Sequence, residues 1–429
     1  MQALTRGLGI FLLVGASVMM ASNALAAAGN LDTTFGGDGM VVTNFTAGED
    51  SPLAVAIQTD HKVVVAGYAA GRGGRFALAR YDTNGHLDPT FGGNGRVTTN
   101  FTKGFDGAFG VAIDGDGRIV AAGNAGARDS RFALARYRTN GHLDPTFGGD
   151  GKVTTNFTAY DDEASDVAIQ TDGKIVAAGR AGGCSRFALA RYRTNGRLDP
   201  TFGGDGKVTT RFDTITTALR SPIRFCRSRS AAASSVAIQL DGKIVAAGEA
   251  DAGEKFGLAR YNLNGHLDST FGGDGRVRTN FALGDDIASA IALEPDGKIV
   301  AAGESRGTRF ALARYSTNGR LDSSFGSDGK VTTDFVAGGA AADVASDMAI
   351  QSDGKIVAGG DTGTLNPKFA LARYQLDGHL DHTFGGDGKV IAVHGSEPGM
   401  AIQADGNIVT AGFTSGGGGR WVLARFLGS

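Results

Sequence analysis

Residues 164–212 read ASDVAIQTDGKIVAAGRAGGCSRFALARYRTNGRLDPTFGGDGKVTTRF, and nearly the same text recurs seven times in the chain. Its L-D-x-x-F-G marker begins at Leu31, Leu87, Leu143, Leu198, Leu267, Leu321 and Leu380, at intervals of 56, 56, 55, 69, 54 and 59 residues. A second marker, aromatic-x-L-A-R, ends at Arg80, Arg136, Arg191, Arg260, Arg314, Arg373 and Arg425. A period of this size signals a repeat architecture in which each unit is one supersecondary element.

One unit holds four strand candidates. D-V-A-I-Q (166–170) and K-I-V-A-A-G (174–179) flank an Asp-Gly pair, a hairpin turn signal. R-F-A-L-A-R-Y-R (186–193) alternates in strand fashion, and K-V-T-T-R-F (207–212) is rich in β-branched residues. No convincing helical period occurs outside the N-terminus, and 69 of the 429 residues are Gly, which suits many tight turns. Four short strands per unit, repeated radially, make a β-propeller blade. K-I-V-A-A-G is apolar on both sides, as a sheet packed between two neighbouring sheets requires. D-V-A-I-Q is small and Ala-rich and is placed innermost. A β-solenoid fits less well, because about 55 residues is long for one coil and no capping repeats are visible.

The text F-A-L-A-R-Y-x-x-N-G-x-L-D-x-T-F-G-G-D-G-x-V-T-T-x-F followed by A-I-Q-x-D-G-K-I-V-A-A-G resembles the delta-60 repeat family of bacterial propeller-like proteins over residues 31–426. The strand order is similar to that of NHL-type propellers, whose inner strand ends in a D-G turn. The resemblance implies a propeller fold. The family has no settled activity, so it implies no catalytic residues.

Residues 1–26 read as a cleaved secretory signal, with Arg6 in the charged region, an apolar run over 8–20 and an A-x-A site at Ala24–Ala26. Residues 27–429 are then the mature domain, expected to be secreted or periplasmic, monomeric and without a membrane span. The net charge of −2 becomes −3 without Arg6, which argues against a nucleic-acid partner. The mature chain begins out of phase. Residues 40–45 match the fourth strand, and residues 420–426 match the third. The expected architecture is therefore all-β, a single seven-bladed β-propeller with four strands per blade. Its ring is closed by the N-terminal outer strand completing the blade made from residues 400–426, which also protects the sheet edges.

Strands within a blade alternate direction, so the two constant turns of each unit share one face and the two variable links share the other. Function is expected on the variable face. The links into the inner strands are acidic there: Asp50, Asp106, Asp161, Asp162, Glu163, Asp285, Asp286 and Glu397 are candidates for a charged channel mouth. Such oxygens would suit Ca²⁺, and they would attract a basic partner, but no complete calcium-loop pattern is present. The bland reading is solvated turn acids. The one long link, 213–234, carries Arg220, Arg224, Arg227 and Arg229, reads as a loop able to lean over that mouth, and holds Cys226. Cys184, in a neighbouring link on the same face, is its expected disulfide partner, these being the two cysteines of an exported chain.

The Arg of L-A-R and the Asp of L-D occur in every unit and read as structural ion pairs, since seven copies on a ring cannot converge on one substrate. His86, His142, His266 and His379 share one repeat position and are too far apart for a metal site. Two functional classes remain. The first is a non-catalytic binding or scaffold propeller for an extracellular glycan or protein. The second is a secreted polysaccharide lyase or hydrolase, which needs a local, non-repeated acid–base set.

Overall fold

The computed structural model describes residues 27–71, 73–182, 186–212, 231–281, 284–336, 342–363, 367–394, 396–414 and 419–429. They form seven four-stranded antiparallel sheets. The expected signal segment lies outside the described residues. The third blade is typical, running through Glu163–Ile169, Ile175–Ala181, Arg186–Tyr192 and Lys207–Thr210. The other inner strands are Ser51–Ile57, Asp106–Ile113, Ala232–Ile238, Asp286–Leu293, Asp343–Ile350 and Ser396–Ile402. Each inner strand touches the next, and the seventh touches the first, so the blades stand around one axis. Blades are numbered here in the chain order of these strands. Among the described residues, no helix is long and apolar enough to cross a membrane.

The core lies between blades rather than within them. Val176, Ala178, Phe187 and Leu189 of blade three pack on Ile244, Ala246 and Tyr261 of blade four, all at 0 % exposure. The short side chains of I-V-A-A-G let sheets approach closely, and each buried Leu or Phe contributes about 1.5–3 kcal/mol. Polar struts cross the same interfaces. The Tyr192 hydroxyl donates to Thr155 Oγ1 of the preceding blade at 2.7 Å, and five other tyrosines repeat the bond.

Every L-A-R arginine pairs with the L-D aspartate of its own blade at 2.7–3.0 Å, from Arg80–Asp88 to Arg425–Asp32. The same guanidinium donates to a main-chain carbonyl of the next blade, as Arg191 does to Leu263 at 2.6 Å. These buried groups therefore fix both the turn and the blade spacing. Burial alone would raise the Asp268 carboxyl, but hydrogen bonds from Thr270 and Lys243 and the Arg260 charge outweigh it and hold the group at about 2.

The ring closes as the phase offset predicts. Met40–Thr43 pairs with Trp421–Phe426 in the register Met40↔Ala424 to Thr43↔Trp421. The outer strands are shorter than the sequence suggests: blade three's ends at Thr210, and Phe212 leaves the sheet. Its ring instead packs on Phe187 at 4.7 Å between centroids, which buries an aromatic surface that would otherwise extend past the sheet edge.

The inner strands carry a bulge that the sequence reading does not contain. In blade three the register slips between Ala164 and Asp166. The constant Gly of A-A-G serves this bulge by close approach. A Cβ on Gly179 would sit 1.9 Å from the Glu163 carbonyl oxygen, so only Gly fits opposite the displaced strand.

Candidate functional site

The acidic links divide into buried clamps and exposed rim groups. Asp50, Asp106, Asp162 and Asp286 are 0–1 % exposed. Asp162 accepts the Phe157 and Thr158 amides at 2.7 and 3.0 Å, the Thr158 hydroxyl at 2.9 Å and the Gly182 amide at 3.0 Å. Asp50 and Asp106 repeat that set, and Asp286 accepts the Phe281 amide at 2.7 Å. Their carboxylates tie the links to the ends of the second strands. Asp161 and Asp285 are exposed. Asp161 accepts the Ser130 amide of the preceding blade at 3.0 Å, and Glu163 pairs with Arg180 at 3.3 Å. Arg220, Arg224, Cys184, Cys226 and the Glu397 side chain lie outside the described residues. Among the described residues no three metal-ligating side chains cluster.

Two sets of residues on this face escaped the sequence reading. The first is a single repeat position near the end of each second strand. It holds Tyr68, Asn124, Arg180, Glu249, Glu304, Asp361 and Phe413 in blades one to seven, each opposite the start of the inner strand. The signal was available as the most variable column of the I-V-A-A-G-x text. Aromatic residues fall on blades seven and one, where Tyr68 meets Phe105 edge-on at 5.3 Å. Acids fall on blades four to six. Burial, with the charges of Asp285 and Asp286 beside it, raises the Glu304 carboxyl above its ordinary value.

The second set follows the bulges. The extra residue is Leu53, Phe109, Ser165, Ser234, Ser289 or Ser346 in blades one to six. Each is half-buried on an innermost strand, so its open part faces the channel. The channel wall is therefore apolar at blades one and two and hydroxyl-bearing at blades three to six.

The next position along these strands is small in five blades (Ala54, Gly110, Ser235, Ala290 and Gly399) and acidic in two, Asp166 and Asp347. Asp166 accepts the Val236 amide at 2.8 Å and the Ser235 hydroxyl at 3.0 Å from the next blade. Asp347 accepts the Met400 amide at 2.7 Å in the same manner. Burial pushes Asp166 up to about 6. Burial, outweighing the amide bonds and reinforced by the charge of Asp166, pushes Asp347 up to about 7. Both residues are half-buried and retain some solvent contact.

A closed ring of seven sheets with a constant turn face and a varied opposite face defines the protein as a seven-bladed β-propeller. The repeats match the family described as domain of unknown function (DUF5122) beta-propeller at residues 58–91, 115–147, 170–202, 239–271, 294–325, 351–384 and 403–428. These matches take up just over half of the chain, which belongs to that family. No curated protein matches it. Solved structures similar to it include a catalytically inactive virginiamycin B lyase from Staphylococcus aureus with quinupristin. That likeness has 10 % identity and a TM-score of 0.48, covering 90 % of this chain and 98 % of that one. The periplasmic gluconolactonase of Pseudomonas aeruginosa is similar at 13 % identity and a TM-score of 0.48, covering 89 % and 99 %. The polysaccharide lyase Uly1 is similar at 12 % identity and a TM-score of 0.45, covering 88 % and 90 %.

Proposed function

We propose that this is an exported, non-catalytic binding propeller that takes a neutral or amine-bearing glycan at the channel mouth on its variable face. The observation that carries this reading is the column from Tyr68 to Phe413, seven residues of differing chemistry held at one height on a constant scaffold. Aromatic rings on one arc offer stacking surfaces for the apolar face of a sugar. On the facing arc, the Glu249, Glu304 and Asp361 carboxylates and the serine hydroxyls accept hydrogen bonds from sugar hydroxyls or an ammonium group. The same carboxylates disfavour uronic acids. The test is a glycan array on the mature protein with neutral, amino and uronic sugars. Binding of neutral or amino sugars, weakened in Tyr68→Ser and Glu304→Gln, supports the reading; selective binding of uronic sugars overturns it.

The second reading, a polysaccharide-acting enzyme, draws on Asp166 and Asp347. Two non-repeated carboxylates whose ionisation is moved toward neutrality are the kind used as general acid and base. Both, however, already accept main-chain amides from the adjoining blade. Release of reducing ends or unsaturated products from a polysaccharide panel, abolished in Asp347→Asn, would reverse the preference.

A further inference from the structure

The constant face is not uniform. At four blade interfaces a glutamine at the end of the inner strand reaches across the gap. Gln58 donates its side-chain amide to Gly117 at 3.4 Å, Gln170 to Gly242 at 3.4 Å, Gln351 to Gly406 at 3.2 Å and Gln403 to His61 at 3.3 Å. Those glutamines are 4–8 % exposed. Gln239 of blade four occupies the same position but makes no such bond to Gly297 among the described residues, and it is more open to solvent. In blade five the position is Glu294, which has no amide to donate and turns to Arg314 at 3.3 Å instead.

At the interface of blades four and five, which lacks the strut, the face opens. A cleft of about 600 Å³ lies between blades four and five, walled by Ile238, Leu240, Leu293 and Pro295 and floored by polar groups including Gln239 and Glu294. This volume falls in the range of small-molecule sites, which combine apolar walls with polar groups that orient the ligand. Leu240 is 99 % exposed at its rim, at a turn position filled by Thr59, Gly115, Thr171, Ser352 and Ala404 in blades that lack the cleft.

Two of the polar groups offer acceptor oxygens. Gln239 Oε1 is buried without a hydrogen-bond partner. Glu294 gives Oε1 to Arg314, leaving Oε2 for a ligand. The cations at the cleft are already committed. Lys243 pairs with Asp241 at 3.3 Å and with Asp268 at 3.1 Å. Arg260 serves Asp268, Thr270 and the Thr317 carbonyl. Among the described residues these cations are already paired, so an anion would meet no free cation and would face the Glu294 and Asp241 carboxylates, whereas a cationic donor meets acceptors beside an apolar wall. We propose that the cleft between blades four and five binds a small primary amine with an apolar body. Its ammonium group would be directed at Gln239 and Glu294 and its hydrocarbon at Leu240 and Leu293. This site is on the opposite face from the glycan site proposed above and does not depend on it.

The probe pair is 2-naphthylmethylamine and 2-naphthoic acid, which share the apolar body and differ in the sign of the charged group. Titration calorimetry on the full mature chain should show the amine binding at least about tenfold more tightly than the acid. Glu294→Gln should weaken the amine about tenfold without affecting the acid. Leu240→Thr, a change at a fully exposed side chain that cannot compromise folding, should weaken both about threefold. Thr59→Ala, at the equivalent exposed turn position of blade one, should leave amine binding unchanged. Equal affinity for amine and acid overturns the proposal, as does no amine binding at millimolar concentration or amine binding that neither cleft variant alters.

Discussion

Replacing Asp32 by Ala should unclasp the ring. Asp32 lies near the start of the described chain, yet its carboxylate holds Arg425, 393 residues away, at 2.7 Å. Both side chains are only 8 % exposed. Removing one partner of such a pair leaves a buried charge uncompensated, at a cost of about 3–5 kcal/mol. Asp32 Oδ1 also accepts the Thr34 amide at 3.0 Å and the Thr34 hydroxyl at 2.7 Å. Those bonds contribute about 1 kcal/mol each. The sum, about 5–7 kcal/mol, is a large fraction of the ~5–15 kcal/mol that typically separates folded from unfolded protein. Urea unfolding followed by tryptophan fluorescence is well suited, because Trp421 is buried in the closing blade against Phe45. Asp199→Ala is the control, since Asp199 makes the equivalent pair within blade three at 3.0 Å. Both variants should lower the midpoint to a similar degree. If Asp199→Ala lowers it and Asp32→Ala does not, the termini do not meet and the closure is wrong.

Asp166 and Asp347 should make stability fall as pH rises from about 4 to 7. Their folded carboxyls, raised to about 6 and 7, keep protons that the unfolded chain releases near 3.8, so the folded state is favoured on the acid side of that window. Asp347→Asn should flatten the slope by about 1–3 kcal/mol, a figure reduced from the full shift because the channel retains some solvent. The readout is the urea midpoint of parent and variant against pH, and equal slopes would remove Asp347 as the cause. Asp268 and Asp322, held at about 2, act in the opposite sense and only as pH drops below about 4. Gly179→Ala should cost about 3 kcal/mol or more, because its Cβ meets main chain rather than a flexible side chain. Gly115→Ala, where a Cβ meets nothing within 4 Å, should melt like the parent.

The architecture was legible because the repeat displays each element seven times. The marker counts give the blades, the phase offset gives the closure, and the invariant Arg and Asp of L-A-R and L-D give the ion pairs. The bulge was not legible, because a one-residue slip within Ala-rich text leaves no hydrophobic signature. Its trace is the constant Gly opposite it, which looks like a turn residue until Gly179 is seen to face the Glu163 carbonyl. The roles of the acidic links were legible only in part. Asp161 and Asp162 are neighbours in sequence, but one is exposed and the other is sealed inside its link by four donors, a distinction set by backbone path rather than residue type. The cleft between blades four and five lies where Gln239 makes no strut, and a sequence with Gln in place gives no hint of that. The substitution of Glu for Gln at Glu294 was visible, although its meaning depends on knowing what the glutamines reach.

The central claim is that the repeated residues build the scaffold and the exceptions at the variable face bind. The most direct measurement is made on one variant combining Tyr68→Ser, Glu304→Gln and Ser289→Ala, all on that face. Its melting curve and its affinity for whichever neutral or amino sugar the parent binds are determined side by side. The account predicts an unchanged melt, within about 1 kcal/mol of the parent, and binding weakened at least about tenfold. Undiminished affinity in a normally folded variant would contradict it.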